Sequence, residues 1–159
     1  MESAKLEEVD KSKRKQPRNK HSNFLITINT NQRFDEPNGA EYMNYESKLE
    51  QIYNELKDPN KIWDYVDFKA KGDNKDKVKF VEYCGGIEIA PVTNTLHIHI
   101  YIKFFHRSRI SLKHTELSKL AEQVLGITPY VHIRGSGDAS SNFQEYVMKY
   151  YNSYNNQKK

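Results

Sequence analysis

Leu96-His97-Ile98-His99-Ile100-Tyr101-Ile102-Lys103-Phe104 alternates strictly between apolar and polar side chains. That is the period of a β-strand, in which successive side chains point to opposite faces. Leu96, Ile98, Ile100, Ile102 and Phe104 form one apolar row fit for a core. His97, His99, Tyr101 and Lys103 share the other face. Two imidazoles at i and i+2 on one strand face can turn their ring nitrogens toward a shared metal ion. An isolated His-x-His is more commonly two exposed histidines on a solvated surface. The preceding stretch shifts the balance. Gly85-Gly86-Ile87-Glu88-Ile89-Ala90 runs into the turn-like Pro91-Val92-Thr93-Asn94-Thr95. With Val92 to Thr95 as a hairpin loop, Pro91 faces Leu96, Ala90 faces His97 and Glu88 faces His99. Directly opposite residues have Cβ atoms about 4.5–5.5 Å apart. Ile87 and Ile89 then join the apolar face, and Glu88 joins the histidines. Two imidazoles and a carboxylate make a mixed N/O set, suited to a divalent ion that keeps positions open for substrate.

The 159 residues fit one domain with a modest core. No apolar run is long enough for a transmembrane helix, and the charged N-terminus does not resemble a secretory signal. The single cysteine, Cys84, has no internal partner, which fits a reducing intracellular compartment and a packing role. The net charge of +4 says little by itself. Its distribution says more, because Lys11-Ser12-Lys13-Arg14-Lys15-Gln16-Pro17-Arg18-Asn19-Lys20 is a basic run outside any periodic segment. Such runs serve as nuclear-localisation or nucleic-acid-binding arms, and equally as solvated leaders.

Residues 1–22 lack periodicity and read as a flexible basic arm, 23–154 as one domain, and 155–159 as a polar tail. Phe24 to Thr30 reads as a strand, with Phe24, Ile26 and Ile28 on one face and Leu25, Thr27 and Asn29 on the other. Asn31 to Gly39 reads as a loop. From Ala40, Tyr42, Tyr45, Leu49, Ile52, Tyr53 and Leu56 recur at helical spacing until Asp58-Pro59-Asn60. Ile62 to Ala70 and Val78 to Ala90 read as two strands joined by a polar hairpin loop, Lys71 to Lys77. Gly85-Gly86 inside the second suggests a bulge or a close backbone approach. After the His strand, His106-Arg107-Ser108-Arg109 is a basic connection. Ile110 to Leu125 reads as an amphipathic helix stopped by Gly126. Tyr130 to Arg134 is a short strand, Gly135 to Asp138 a flexible link, and Ser141 opens a last helix with Gln144 in capping-box register. The expected architecture is α+β: a single central antiparallel β-sheet of about five strands with helices packed on it.

On the last helix Tyr146 and Lys149 stand at i and i+3, on one side. Tyrosine is a poor nucleophile until a nearby cation or base activates it. In a tyrosine-rich chain most such rings serve packing. Tyr146 gains interest from its company, Lys149 together with Glu88, His97 and His99. This set resembles the HUH endonucleases, and most closely the rolling-circle replication-initiator (Rep) proteins of eukaryotic circular single-stranded DNA viruses. Phe24-Leu25-Ile26-Thr27-Ile28-Asn29 resembles their first motif, Leu96 to Ile100 the second, and Tyr146 to Lys149 the third. His132 to Asp138 is similar in layout to geminivirus Rep. The likeness spans roughly Phe24 to Lys149. His-x-His is like the geminivirus version and unlike the His-Leu-Gln of circoviruses. Tyr150, four residues after Tyr146, also gives the spacing of two-tyrosine members.

The resemblance implies a metal-dependent, sequence-specific nickase and strand-joining enzyme for single-stranded DNA at a replication-origin stem-loop. Glu88, His97 and His99 would then hold Mg²⁺ or Mn²⁺, Tyr146 would be the nucleophile, and Lys149 would stabilise developing negative charge. Thr27, Asn29, Lys103, Arg107, Arg109 and Arg134 become candidate DNA contacts. Viral members usually continue into a helicase domain, and the chain has no G-x-x-x-x-G-K-[ST] motif. It reads as an isolated nuclease domain, or a short stand-alone Rep that works beside a larger form. The expected location is intracellular, in the host nucleus if viral, with no membrane partner. A single-tyrosine HUH transposase or relaxase, and a non-enzymatic nucleic-acid-binding module with structural histidines, remain open alternatives.

Overall fold

The computed structural model describes residues 20–69, 72–106 and 110–136. In chain order these form β1 (Lys20–Arg33), α1 (Ala40–Leu56), β2 (Val66–Phe68), β3 (Val78–Ile89), β4 (Thr95–His106), β5 (Ile110–Leu112), α2 (His114–Leu125) and β6 (Tyr130–Ser136). The protein is α+β. A four-stranded antiparallel sheet runs in the order β3-β4-β1-β6, and β2 pairs with β5 in a separate two-stranded sheet. None of the described helices is long and apolar enough to cross a membrane.

Alternation along β1 and β4 determines which face is covered. Phe24, Ile26 and Ile28 of β1 join Leu96, Ile98, Ile100, Ile102 and Phe104 of β4, Ile87 of β3 and Val131 of β6 in one buried cluster. Tyr42, Leu49, Ile52 and Leu56 of α1, and Leu117, Ala121 and Leu125 of α2, complete it. The helical period of these residues puts them on one stripe per helix, which is the face the sheet receives. α2 stops at Gly126, whose φ of 74° is left-handed and whose N–H donates to the Glu122 carbonyl. At Gly85 α1 comes close to β3, because a Cβ there would lie 2.9 Å from Tyr53 Cε1. The expected close approach is thus at Gly85, whereas the bulge falls at Val81, between the pairs Phe80↔Phe104 and Glu82↔Lys103.

The hairpin that carries the histidines differs from the expected one by two residues. Ala90 N–H donates to the Thr95 carbonyl (2.9 Å) and Asn94 N–H to the Ala90 carbonyl (2.8 Å), so the loop is Pro91–Asn94. Pro91 has the fixed φ of a turn start, and Asn94 accepts a left-handed φ of 60°. Both ends of the loop therefore move back one residue. Ile89 pairs with Leu96, Glu88 with His97 and Gly86 with His99, in place of Glu88 with His99. A two-residue slip keeps every side chain on its own face.

Other expectations need correction. Ile62 to Tyr65 form a 3-10 turn rather than strand, with Trp63 Nε1–H donating back to the Pro59 carbonyl (2.8 Å). The aromatic alternation there marks a turn packed on the core. The three residues left to β2 pair with β5 instead of forming a hairpin with β3. Ile110 to Leu112 are correspondingly strand, and α2 starts only at His114. β1 begins at Lys20, inside the expected arm, and continues to Arg33 through a register break at Asn31, whose φ is 61°. Gly135 and Ser136, expected in a link, pair with Phe24 and Asn23. Tyr146, Lys149, Tyr150, Arg107, Arg109, most of the basic arm, the last helix and the tail lie outside the described residues.

Candidate metal centre

The face opposite the core is ordered in rows by strand pairing. One row holds Glu88, His97, Asn29 and Tyr130, the next Gly86, His99, Thr27 and His132. Below them come Cys84, Tyr101, Leu25 and Arg134, then Glu82, Lys103, Asn23 and Ser136. The sequence-derived set Glu88, His97, His99, Thr27, Asn29, Lys103 and Arg134 therefore shares one face of the sheet.

Glu88, His97 and His99 come together. One ligand atom from each can be chosen so that all three lie within 4.8 Å of one another. Ligands about 2.1 Å from a common octahedral ion are separated by roughly 3.0–4.2 Å. Closing the cluster on an ion thus changes the donor separations by at most about 2 Å. The donor types fit a hard or borderline divalent ion better than a soft one.

His99 is the most constrained member, at 4 % exposure. Its Nε2 lies 2.8 Å from Glu88 Oε1 and its Nδ1 lies 3.2 Å from Thr27 Oγ1. Against an ionised Glu88, Nε2 carries the proton and Nδ1 accepts from the Thr27 hydroxyl. Were Nε2 to ligate a cation, Nδ1 would carry the proton and donate to Thr27 Oγ1. A hydroxyl serves either tautomer. Histidine ligands are commonly held in this way by a group on the far ring nitrogen.

His97 is only half-buried. Its Nε2 is 3.1 Å from Thr95 Oγ1, which in turn is 2.7 Å from Thr93 Oγ1. Burial pushes the His97 pKa below its ordinary value, His99 pushes in the same direction, and Glu88 pulls back upward. The imidazole is neutral at neutral pH, which is the form that ligates metals. The two rings meet edge to face with centroids 5.8 Å apart.

The surroundings are drier than a solvated strand face. Tyr101 is buried, and its hydroxyl donates to Asn23 Oδ1 at 2.9 Å, with Glu82 Oε1 at 3.3 Å. Cys84 is buried too, and burial, with Glu82 adding to it, pushes its thiol up to about 12, so it is unreactive. Asn29 Oδ1 accepts from the Asn31 N–H (2.8 Å), at the register break of β1. Lys103 is half-buried and Arg134 exposed, both on the histidine face. Sequence reasoning missed Thr95 as the partner of His97, the link from Thr27 to His99, and the Asn23–Tyr101 bond. Strand period alone places Thr95 beside His97. The other two need the β1–β4 register. No protein-family model, curated protein or solved structure matches the chain.

Proposed function

We propose that the protein is a metal-dependent, sequence-specific nickase and joining enzyme for single-stranded DNA, working at a stem-loop origin to start rolling-circle replication. The observation that carries the reading is the convergence of Glu88, His97 and His99 from adjacent strands. Mg²⁺ or Mn²⁺ bound there would supply Lewis-acid polarisation of the scissile phosphate. Glu88 would contribute the negative charge that retains the ion, and His97 and His99 would contribute ring nitrogens. Thr27 and Thr95 hydrogen-bond the two rings and would restrain them as ligands.

The nucleophile in this reading is Tyr146. Its Oη forms a bond to phosphorus and the bond from phosphorus to the 3′ oxygen breaks. The phenolic proton is lost and the departing oxygen takes one up. The products are a 5′-phosphotyrosine and a free 3′-hydroxyl, and reversal rejoins the strand. Lys149 stabilises the phenolate in its nucleophilic form. Lys103, Arg107, Arg109 and Arg134 hold phosphates without reading sequence. A helicase partner or a larger Rep form would extend the opened duplex, in the host nucleus if the source is viral.

The test is incubation of the protein with a library of single-stranded stem-loop DNA and Mn²⁺, followed by denaturing electrophoresis. A covalent protein–DNA band that disappears with chelator is expected. Chelator-resistant cleavage would remove the metal assignment. DNA binding with no adduct on any library member would favour the non-enzymatic module.

A further inference from the structure

Among the described residues β6 is an edge strand of the main sheet, and Tyr130, His132 and Arg134 alternate along it on the histidine face. All three are exposed, Tyr130 by 58 %. The Tyr130 and His132 rings are within 9° of parallel, with centroids 6.2 Å apart. Stacked bases in a nucleic-acid strand repeat at about 3.4 Å, so two base steps nearly match the ring repeat. Every base has a π-face, and aromatic side chains take unpaired bases with little regard to sequence. Arg134, next in the ladder, supplies a cation that can stack or meet a phosphate. Two inter-strand spacings, about 9–10 Å, separate β6 from β4. Tyr130 shares its row with His97 and Glu88, and His132 shares its row with His99.

We propose that Tyr130 and His132, with Arg134 beside them, form a stacking platform on the β6 edge for the unpaired bases of single-stranded DNA. The proposal rests on the reading of DNA as substrate and identifies which side of the metal cluster the strand lies on. Bases rest on β6 and the backbone runs across β1 toward Glu88, His97 and His99. Duplex DNA, whose bases are already stacked, gains nothing from the platform.

The test uses the full chain and a short fluorescein-labelled oligothymidylate, with binding followed by anisotropy in EDTA so that no cleavage intervenes. Tyr130→Ala should weaken binding about five- to 150-fold, the range for loss of one stacked base. Tyr130→Phe keeps the ring and should stay within about twofold of the parent. The salt dependence of Tyr130→Ala should match the parent, because no phosphate contact is lost, whereas Arg134→Gln should lower the slope. An oligonucleotide of abasic residues should bind weakly and be indifferent to Tyr130→Ala. Because Tyr130 is exposed, its variants should keep the parent's thermal midpoint. Parent-like binding by Tyr130→Ala overturns the platform, as does a Tyr130→Phe loss equal to that of alanine, or the same Tyr130 dependence with duplex. If Tyr130-dependent binding is seen but no adduct forms, the platform stands and the nickase reading falls. If adducts form and Tyr130→Ala changes nothing, the reverse holds.

Discussion

Replacing Thr27 by valine separates two roles for that residue. The sequence pattern suggests a DNA contact, whereas its hydroxyl lies 3.2 Å from His99 Nδ1. Valine keeps the branched shape, so β1 should pack as before and only the hydrogen-bonding oxygen is lost. His99 is 4 % exposed, and water does not easily replace the missing partner. Removing the Thr27 oxygen from this buried ring costs up to about 1–3 kcal/mol of folding stability. The effect on metal binding is separate. With Nε2 turned to a cation, the Nδ1 proton loses the Thr27 oxygen as its acceptor in the variant. Loss of such an outer partner typically weakens metal binding about 10–100-fold, roughly 1.4–2.8 kcal/mol. Calorimetric titration with Mn²⁺, beside urea unfolding of the metal-free protein, measures both quantities. Thr27→Ser keeps the oxygen and should recover most of the Mn²⁺ affinity. Unchanged Mn²⁺ affinity in a folded Thr27→Val protein would refute the positioning role. Weaker DNA binding in chelator with unchanged Mn²⁺ affinity would instead make Thr27 a DNA contact.

Three further outcomes can be measured. Tyr146→Phe should abolish the covalent DNA adduct on a denaturing gel while Tyr150→Phe retains it; the opposite pattern would reassign the nucleophile, and partial loss in both would indicate two working tyrosines. Gly85→Ala drives a Cβ to 2.9 Å from the Tyr53 ring, an overpacking cost of about 1–3 kcal/mol, offset by roughly 0.5–1 kcal/mol of backbone entropy, and a lowered urea midpoint should report the difference. In metal-free protein the depressed His97 pKa means that the unfolded chain binds more protons, so stability should fall as pH drops below the ordinary histidine value near 6.5 and level off below the folded pKa; His97→Asn should flatten that part of a thermal-melt pH series, and an unaltered slope would exclude His97 as the cause.

The parts of the fold legible in the sequence are those with a strong period. β4, α1 and the apolar face of β1 follow from alternation or helical spacing alone, because each buries a continuous row or stripe. The errors cluster where the period is short. Trp63, Tyr65, Val66 and Phe68 suggest one strand, but such a short run cannot distinguish a strand from a 3-10 turn followed by three paired residues. The β2–β5 partnership was hidden for a related reason, since its strands are far apart in sequence and neither is long enough to announce itself.

The grouping of Glu88, His97 and His99 withstands a change of register, and the reason is physical. A side chain's face depends on whether its position is odd or even, so a slip of two along β3 moves Glu88 from opposite His99 to opposite His97 without turning it into the core. Glutamate is long enough to reach the diagonal neighbour, and Oε1 meets His99 Nε2 at 2.8 Å from its new position. A slip of one would have buried Glu88 among the isoleucines and left no cluster. Parity and side-chain reach therefore fix which residues gather at the site. The loop chemistry of Pro91 and Asn94 decides only which histidine stands directly across from the carboxylate. The outer partners are less forgiving. Thr27 is directly opposite His99 on the β1 side, and a shift of two in that pairing would place Asn29 or Leu25 there, side chains of different length and chemistry.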